Sequence, residues 1–319
     1  MKVGMPVIST NEGELLRQAL PTALEQDGAE FDVVVLDNAS QDSTAAVADE
    51  LGVRCVRLAR RHSFCEAMNA GLREVEGEVL LFMQPDTFLT PGFVATGLRR
   101  LAEPGVGSVA PKLVRTEGPR PEQRLDAIDT AGMVVDRRRK NGLVGHGRPS
   151  LAFDLPGEVF GADGAVALYR REALEEAADG DGAVFDEDLV TWGSDADLAW
   201  RVRLVGWRCV YEPAGVAYHI RTYSPSTRAA MPEWDRMMQF RNRYLMLAKN
   251  DPLPSLLRDL PRIVGWDLLA LPYIVLRERC LLRGYVEAAR LLPRMLRKRA
   301  SLQRRRASST LPYGLEPPA

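Results

Sequence analysis

Two carboxylates follow short apolar runs of the sequence. Asp37 comes directly after residues 31–36, and Asp86 comes three residues after residues 79–83. Apolar runs of this length are typical of buried strands, and ligands of open α/β sheets bind beyond the carboxyl ends of the strands. Asp86 is therefore a candidate ligand for a divalent cation that neutralises a diphosphate, and Asp37 is a candidate acceptor for a base N–H or a ribose hydroxyl. The alternative is that both residues only cap polar turns.

A candidate general base and a further candidate metal or phosphate ligand lie in the C-terminal half of the sequence. Ser194 and Asp197 have the spacing of a capping box at the start of a predicted helix. Asp195 falls in the first turn, where we expect the helix macrodipole to keep it ionised and able to deprotonate a hydroxyl. His219, at the end of a predicted strand, is a candidate metal or phosphate ligand. The alternative for His219 is a hydrogen-bonded surface residue.

The elements that would position these residues alternate along the first part of the chain. This pattern predicts an α/β fold in which βαβ units build a mostly parallel central sheet flanked by helices. The sequence contains neither a Gly-x-Gly-x-x-Gly motif nor a Walker loop, which disfavours NAD and P-loop chemistry. The predicted strands are 2–9, 31–36, 53–58 and 79–83, and the predicted helices between them are 14–26, 43–51 and 66–75.

We predict three regions from these patterns. Residues 1–222 form an α/β region, in which residues 1–110 have the pattern of a nucleotide-binding half of the doubly wound type. Residues 223–306 form a helical extension, and residues 307–319 form a disordered tail.

The helical extension is basic and amphipathic. Residues 258–306 contain 13 Lys/Arg and four acids, a local charge of +9 in a chain with a net charge of −1. We expect helix breaks near Pro272 and Pro293. An apolar stripe with clustered arginines suits a membrane surface, and the alternative is packing on the α/β region or on a second subunit. Because the arginines are not interleaved with aromatic residues, nucleic acid is not an expected partner.

Composition places the chain in a reducing compartment. The 319 residues are 46% hydrophobic and 27% charged, as in ordinary globular proteins, and the four cysteines form no closely spaced pair. The amino terminus lacks the pattern of a signal peptide. No apolar run approaches ~18 residues, so no spanning helix is expected. We therefore expect a cytoplasmic location, with peripheral attachment to the inner face of the plasma membrane as an option.

Several segments, in this order and spacing, resemble the inverting glycosyltransferases of family 2, which have the A-type nucleotide-sugar fold. The resemblance runs from about residue 3 to residue 219, with a weaker match to about residue 306. The segments that carry it are 35–42, 61–71, Gln84-Pro85-Asp86-Thr87, 185–207, Tyr218-His219 and Arg241-Asn242-Arg243.

The resemblance implies a role for each candidate residue. Asp195 would be the catalytic base, and Asp86 with His219 would hold Mg²⁺ or Mn²⁺. Gln84 replaces a possible first acid of the metal motif, and Ser194 replaces the usual Glu before the base. The implied nucleotide-binding residues are Asn11, Glu12, Asp37, Asn38, Asn69 and Gln84, and the implied acceptor or reserve residues are Asp163, Trp192 and Asp197.

The resemblance implies that residues 1–222 form the catalytic domain, with a nucleotide-binding part at about 1–110 and an acceptor part at about 111–222. It also implies a function. The segments are most similar to bacterial rhamnosyltransferases, which implies transfer of L-rhamnose from dTDP-L-rhamnose to a polysaccharide or lipid-linked glycan. Alternatives are another donor, such as a UDP-sugar or GDP-mannose, and an inactive subunit that only binds a nucleotide-sugar. A nucleotidyltransferase is disfavoured because residues 10–13 do not form a glycine-rich basic loop. A homo-oligomer is a possible assembly.

Overall fold

A ten-stranded sheet organises the part of the chain that the computed structural model describes, residues 1–224 and 227–318. The strands are β1 (Lys2–Ser9), β2 (Glu30–Asp37), β3 (Arg54–Arg57), β4 (Val79–Met83), β5 (Thr87–Leu89), β6 (Val106–Thr116), β7 (Arg124–Thr130), β8 (Met133–Val135), β9 (Asn141–Leu143), β10 (Gly157–Val159), β11 (Val166–Arg170) and β12 (Arg208–His219). Strands β8 and β9 form a separate hairpin. The helices are α1 (Gly13–Leu24), α2 (Thr44–Glu50), α3 (Phe64–Glu74), α4 (Phe93–Leu101), α5 (Arg171–Ala177), α6 (Ser194–Leu204), α7 (Glu233–Asn250), α8 (Leu253–Arg277) and α9 (Cys280–Arg305).

The N-terminal half of the sheet is parallel, as the alternating pattern predicts. Strand β1 pairs in parallel with β2 and β4, and β2 pairs in parallel with β3. All five residues of β4 are buried, because helices cover both faces of a parallel sheet. Ser9 pairs with Asp37 in the register of β1 and β2. The polar residues that follow β1, β2 and β4 therefore meet at one edge of the sheet.

The C-terminal half of the sheet is mixed, so the sheet as a whole is less parallel than expected. Strand β11 is antiparallel to both β4 and β6, whereas β12 is parallel to β6. The short strand β5 is antiparallel to β12 and places Thr87 opposite His219. This pairing brings the segment after β4 next to the end of β12, although the two segments are far apart in sequence.

Helices α8 and α9 do not break at their prolines. Helix α8 continues through Pro261 and Pro272, and α9 continues through Pro293. All three prolines are exposed, so water can solvate the carbonyl group that each proline leaves without a partner. The interruption lies instead at residues 278–279. The predicted breaks at Pro272 and Pro293 are therefore wrong.

The C-terminal tail packs on earlier parts of the chain, in contrast to the disorder that the sequence predicts. Ala307 donates its backbone N–H to Leu204, and Gly314 donates to Val135. The Tyr313 ring stacks on Phe160, with ring centroids 6.0 Å apart. These contacts join distant segments, so no local pattern in the tail reveals them.

Candidate active site

A cavity of about 360 Å³ lies at the carboxyl edge of the sheet. Its walls come from the ends of β1, β4 and β12, from the segment before β11 and from the start of α6. Seven of the residues singled out from the sequence line it. They are Glu12, Gln84, Asp86, Asp163, Trp192, Asp195 and His219.

Asp86 and His219 approach each other on one wall of this cavity. Asp86 Oδ1 lies 3.5 Å from His219 Nε2, and Asp86 Oδ1 is buried without a hydrogen-bond partner among the described residues. His219 Nδ1 lies 2.7 Å from Asp129 Oδ2. Burial lowers the pKa of His219, but the hydrogen bond to Asp129 and the nearby charge of Asp86 outweigh it and raise that pKa to about 9.

The Asp86 oxygen fits a divalent cation that is shared with a diphosphate. Mg²⁺ and similar ions are often held by one or two carboxylates together with phosphate oxygens and water. Across residues 1–224 and 227–318, no group of three His, Cys, Asp or Glu residues is placed to hold a metal ion. His219 must lose its proton to ligate a metal. Asp86 would therefore be the first ligand of such an ion, and His219 would be a second ligand that binding of the ion would have to deprotonate.

A chain of alternating charges continues from His219 across the cavity. Arg221 donates to both oxygens of Asp129, at 2.7 Å each, and to Asp163 Oδ2 at 3.1 Å. Burial favours the neutral form of Asp129, but His219 and Arg221 hold its pKa well below the usual range. Asp129 and Asp163 thereby fix the Arg221 guanidinium at the cavity wall.

Asp195 is a carboxylate whose protonation state changes near neutral pH. Its oxygens accept hydrogen bonds from the N–H groups of Gly164, at 3.1 Å, and Ala196, at 2.8 Å. Burial and then the charge of Asp163 raise the pKa of Asp195 to about 6. Desolvation therefore outweighs the effect of the helix dipole on this pKa, although a carboxyl group with a pKa of about 6 remains mostly ionised at neutral pH. A pKa near the working pH suits a general base.

The predicted capping box at the start of α6 is absent. Gly193, with φ of 79°, occupies the N-cap position, and Ser194 is the first helical residue. Asp197 is fully buried and accepts hydrogen bonds from Arg201, Lys249 and Asn250. Asp197 does not line the cavity. The structure therefore places this reserve base in a buried ionic network below the site.

Two of the predicted nucleotide-binding residues contact the cavity directly. Gln84 donates to the Gly164 carbonyl at 3.1 Å, so its side chain braces the segment that holds Asp195. Glu12 accepts from the Thr10 N–H at 3.3 Å, and burial and then the charge of Asp86 raise its pKa. Glu12 therefore faces the same region as Asp86.

The other predicted nucleotide-binding residues do not line the cavity. Asn38 donates to Thr10 Oγ1 at 3.2 Å, and Asn11 accepts from the Gln41 N–H at 2.7 Å. Asp37 is 5% exposed and accepts from the Ser40 N–H. These contacts form a polar strip beside the cavity, where Asp37 also fits the turn-cap alternative.

Asn69 lies below the cavity floor. Its side chain donates to the Phe185 carbonyl at 2.8 Å and accepts from the Phe185 N–H at 2.9 Å. These two bonds pair the amide with one backbone unit and leave it buried. The observed contacts of Asn69 therefore position Phe185, which lines the cavity.

Trp192 and Tyr223 form an aromatic wall. Their ring centroids are 6.3 Å apart, and Trp192 Nε1 donates to Asp235 at 2.8 Å. Trp192 has a φ of 50°, which is uncommon for a large side chain. Because flat apolar rings with a polar rim suit sugar faces, this wall fits the predicted acceptor side.

Sequence reasoning missed Asp129, Arg221 and Tyr223. Arg221 and Tyr223 lie two and four residues after His219, so the end of the same predicted strand could have indicated them. Asp129 lies in β7, and the pairing of β7 with β6 brings it to the site. No local signal in the sequence identifies that pairing.

Comparison with known families agrees with this arrangement. Residues 7–177, more than half of the chain, match the family model described as glycosyl transferase family 2. The chain therefore belongs to glycosyl transferase family 2.

Relatives with curated descriptions match only part of their own length. An uncharacterised protein of Mycobacterium tuberculosis (strain CDC 1551) is 33% identical over 52% of this chain and 53% of that protein. The succinoglycan biosynthesis protein ExoO of Rhizobium meliloti is 27% identical over 73% of this chain and 64% of that protein. Poly-beta-1,6-N-acetyl-D-glucosamine synthase of Staphylococcus epidermidis is 20% identical over 65% of this chain and 47% of that protein. The chain spans less than two thirds of the length of each of these relatives.

Solved structures confirm the A-type glycosyltransferase fold. TarS of S. aureus, residues 1–349 in complex with UDP-GlcNAc, has a TM-score of 0.62 at 16% identity and covers 96% of this chain and 89% of that chain. The mannosyltransferase PcManGT of Pyrobaculum calidifontis, in complex with GDP-Man and Mn²⁺, has a TM-score of 0.55 at 20% identity and covers 95% and 84%. At these identities the likeness concerns the fold alone.

Proposed function

We propose that the protein is an inverting glycosyltransferase that moves a sugar from a nucleotide-sugar to a hydroxyl of a glycan or lipid-linked acceptor. One observation carries the proposal. The same cavity holds Asp86 Oδ1, which has no hydrogen-bond partner among the residues that the structure describes, and the carboxylate of Asp195, whose pKa is about 6. Family membership and the nucleotide-sugars bound by TarS and PcManGT support it.

The chemistry is a single displacement. Asp195 takes the proton of the acceptor hydroxyl while the hydroxyl oxygen bonds to the anomeric carbon. The bond between that carbon and the diphosphate oxygen breaks, and the nucleoside diphosphate leaves with the electron pair. Attack from the face opposite the leaving group inverts the configuration. A divalent cation, Mg²⁺ or Mn²⁺, held by Asp86 and His219 would neutralise charge on the leaving diphosphate.

Gly164 and Arg221 add to this arrangement without contacting a reacting atom. The Gly164 N–H fixes the orientation of the Asp195 carboxylate. Arg221, held by Asp129 and Asp163, places a fixed positive charge in the cavity. Preorganised charges of this kind stabilise charge that develops during the reaction.

The identity of the donor is a more specific proposal than the type of reaction. Transfer of L-rhamnose from dTDP-L-rhamnose stays a prediction from the resemblance, and the relatives with described products act in the synthesis of other polysaccharides. UDP-sugars and GDP-mannose are the alternatives. The test is a turnover screen, in which release of nucleoside diphosphate is measured for a panel of donors with oligosaccharide and lipid-linked acceptors.

The outcomes of the screen distinguish an active inverting enzyme from an inactive binding subunit. We expect acceptor-dependent release from one donor and a product of inverted anomeric configuration by NMR. A product of retained configuration would contradict the single displacement. Binding of a donor without turnover on any acceptor of the panel would favour the inactive binding subunit.

A further inference from the structure

Six apolar side chains form a continuous exposed stripe on α8. They recur at spacings of three or four residues, which keeps them on one helix face. Each side chain is at least 40% exposed, and the stripe extends over about 27 Å at 1.5 Å per residue. The members of this apolar stripe are Leu257, Leu260, Val264, Leu268, Leu271 and Val275.

The opposite face of α8 fixes the helix on the protein. Ile263 and Ile274 are buried. Asp259, also buried, forms ion pairs with Arg137 and Arg139, the latter at 3.0 Å. The helix is therefore anchored along its inner face, and its apolar stripe faces outward.

The charge around the stripe has one sign. Every exposed charged side chain of α8 and α9 is an arginine, nine in all, and three of them, Arg258, Arg262 and Arg277, lie on the same helix as the stripe. The acids of these helices, Asp259, Asp267 and Glu287, are buried or partly buried and paired with arginines. The outer surface of the two helices is therefore apolar and cationic.

We propose that this face of α8 docks the protein on a membrane surface that contains anionic lipids, with the helix lying in the plane of the interface. The apolar stripe suits the boundary between headgroups and acyl chains, and arginines attract anionic headgroups. A soluble polyanion would leave the stripe in water, and a second copy of the chain would bring two arginine-rich faces together. Across the described residues no helix is long and apolar enough to cross a bilayer.

The docking face is connected to the cavity by apolar packing. Ile274 belongs to a cluster with Met237 and Met238, and Trp192 packs against this cluster. Trp192 lines the cavity. A bilayer under α8 therefore lies on the side of the proposed acceptor wall, where a lipid-linked glycan would arrive; this link, unlike the docking itself, rests on the proposed function.

Co-sedimentation of the full chain with lipid vesicles tests the docking. We expect binding to phosphatidylcholine vesicles that contain phosphatidylglycerol, weaker binding to phosphatidylcholine alone, and a loss of binding as salt rises. The double variant Leu257→Asp/Leu268→Asp should lower the partition coefficient at least about tenfold, because charges enter the interface. The matched control is Leu151→Asp/Leu155→Asp, two exposed leucines outside α8 and α9, which should bind as the wild type does.

Three results would overturn the docking proposal. The first is wild-type protein that stays in the supernatant with anionic vesicles. The second is equal binding of the wild type and of Leu257→Asp/Leu268→Asp. The third is a wild-type dimer that does not bind vesicles and that becomes a monomer in this variant. The last result would assign the stripe to a second copy of the chain. Circular dichroism confirms that each variant is folded, and a nucleotide-sugar titration without vesicles tests the proposed function separately.

Discussion

Asp195 and Asp163 are two carboxylates with different tasks in one cavity. Asp163 pairs with Arg221 at 3.1 Å, whereas Asp195 is held by backbone N–H groups alone among the bonds described for it. The charge of Asp163 adds to burial in raising the pKa of Asp195 to about 6. In the proposed mechanism, the carboxylate that takes the proton is therefore a different group from the carboxylate that shifts its pKa.

Replacing the proposed base tests its role at the level of one atom. Asp195→Asn keeps the shape of the side chain and an acceptor oxygen for Gly164, but it cannot take a proton. We expect kcat to fall about 10²- to 10⁴-fold, the usual contribution of a general base, with donor affinity unchanged. Asp197→Asn should instead mainly lower stability, since Asp197 lies in the buried network. Near-normal kcat in Asp195→Asn would place the base elsewhere.

The pH dependence of kcat/KM tests whether Asp163 raises the pKa of Asp195. Asp195 is active when deprotonated, so kcat/KM should rise with pH through about 6. Asp163→Asn removes the neighbouring negative charge, so the pKa of Asp195 should fall and the acidic limb should move to lower pH. Asp163→Glu keeps the charge and serves as the control. An acidic limb that stays in place in Asp163→Asn would show that Asp163 does not set it.

The sequence revealed the residues whose position depends on local signals. Asp86 follows a buried strand and Asp195 lies in the first turn of a helix, and both were identified from those features. The raised pKa of Asp195 was not foreseen, because it arises from burial and from the charge of Asp163, which only the folded structure brings together. Asp129 was missed because strand order, which is absent from any local pattern, brings it to His219.

At the scale of elements, the C-terminal helices hold the helix that carries Asp195. Lys249 of α7 forms ion pairs with Asp186 and Asp197, and Lys298 of α9 pairs with Asp186 as well. Burial raises the pKa of Asp186, but Lys249 and Lys298 outweigh it and hold it well below the usual range. Helices α6, α7 and α9 therefore share one buried ionic network with Asp186.

Breaking this network should destabilise the whole fold. Lys249→Met leaves buried carboxylates with fewer cations, and the free energy of unfolding should fall by about 3 kcal/mol. The control is Lys2→Met, which removes an exposed pair with Glu76 and should leave stability unchanged. Urea denaturation followed by circular dichroism measures both. Equal midpoints for the two variants would contradict the structural role of Lys249.

At the scale of the whole molecule, the C-terminal tail packs on earlier parts of the chain. Tyr313 donates to Asp251 Oδ1 at 2.7 Å, and Arg139 lies 3.6 Å from the centre of its ring. Arg139 in turn pairs with Asp251 and with Asp259 of α8. Composition alone predicted a disordered tail, because a single tyrosine between prolines carries no sign of the partners that it meets.

Removing the tyrosine ring should show that the tail contributes to stability. We expect Tyr313→Ala to lower the free energy of unfolding by about 3 kcal/mol, in the range for deleting a packed aromatic ring. Tyr313→Phe keeps the ring contacts with Phe160 and Trp200 and loses one hydrogen bond, so its loss should be about 1 kcal/mol. Thermal unfolding of both variants measures the difference. A melting temperature of Tyr313→Ala equal to that of the wild type would contradict the packed tail and favour the disorder that the sequence predicts.

The central claim is that one cavity binds a nucleotide-sugar through a cation at Asp86 and activates the acceptor through Asp195. The most direct measurement is a calorimetric titration of wild type, Asp86→Asn and Asp195→Asn with a panel of nucleotide-sugars, each with and without Mn²⁺. The account predicts Mn²⁺-dependent binding of one donor, loss of that dependence in Asp86→Asn, and wild-type affinity in Asp195→Asn. Absence of nucleotide binding under every condition, or equal Mn²⁺ dependence in Asp86→Asn and wild type, would contradict it.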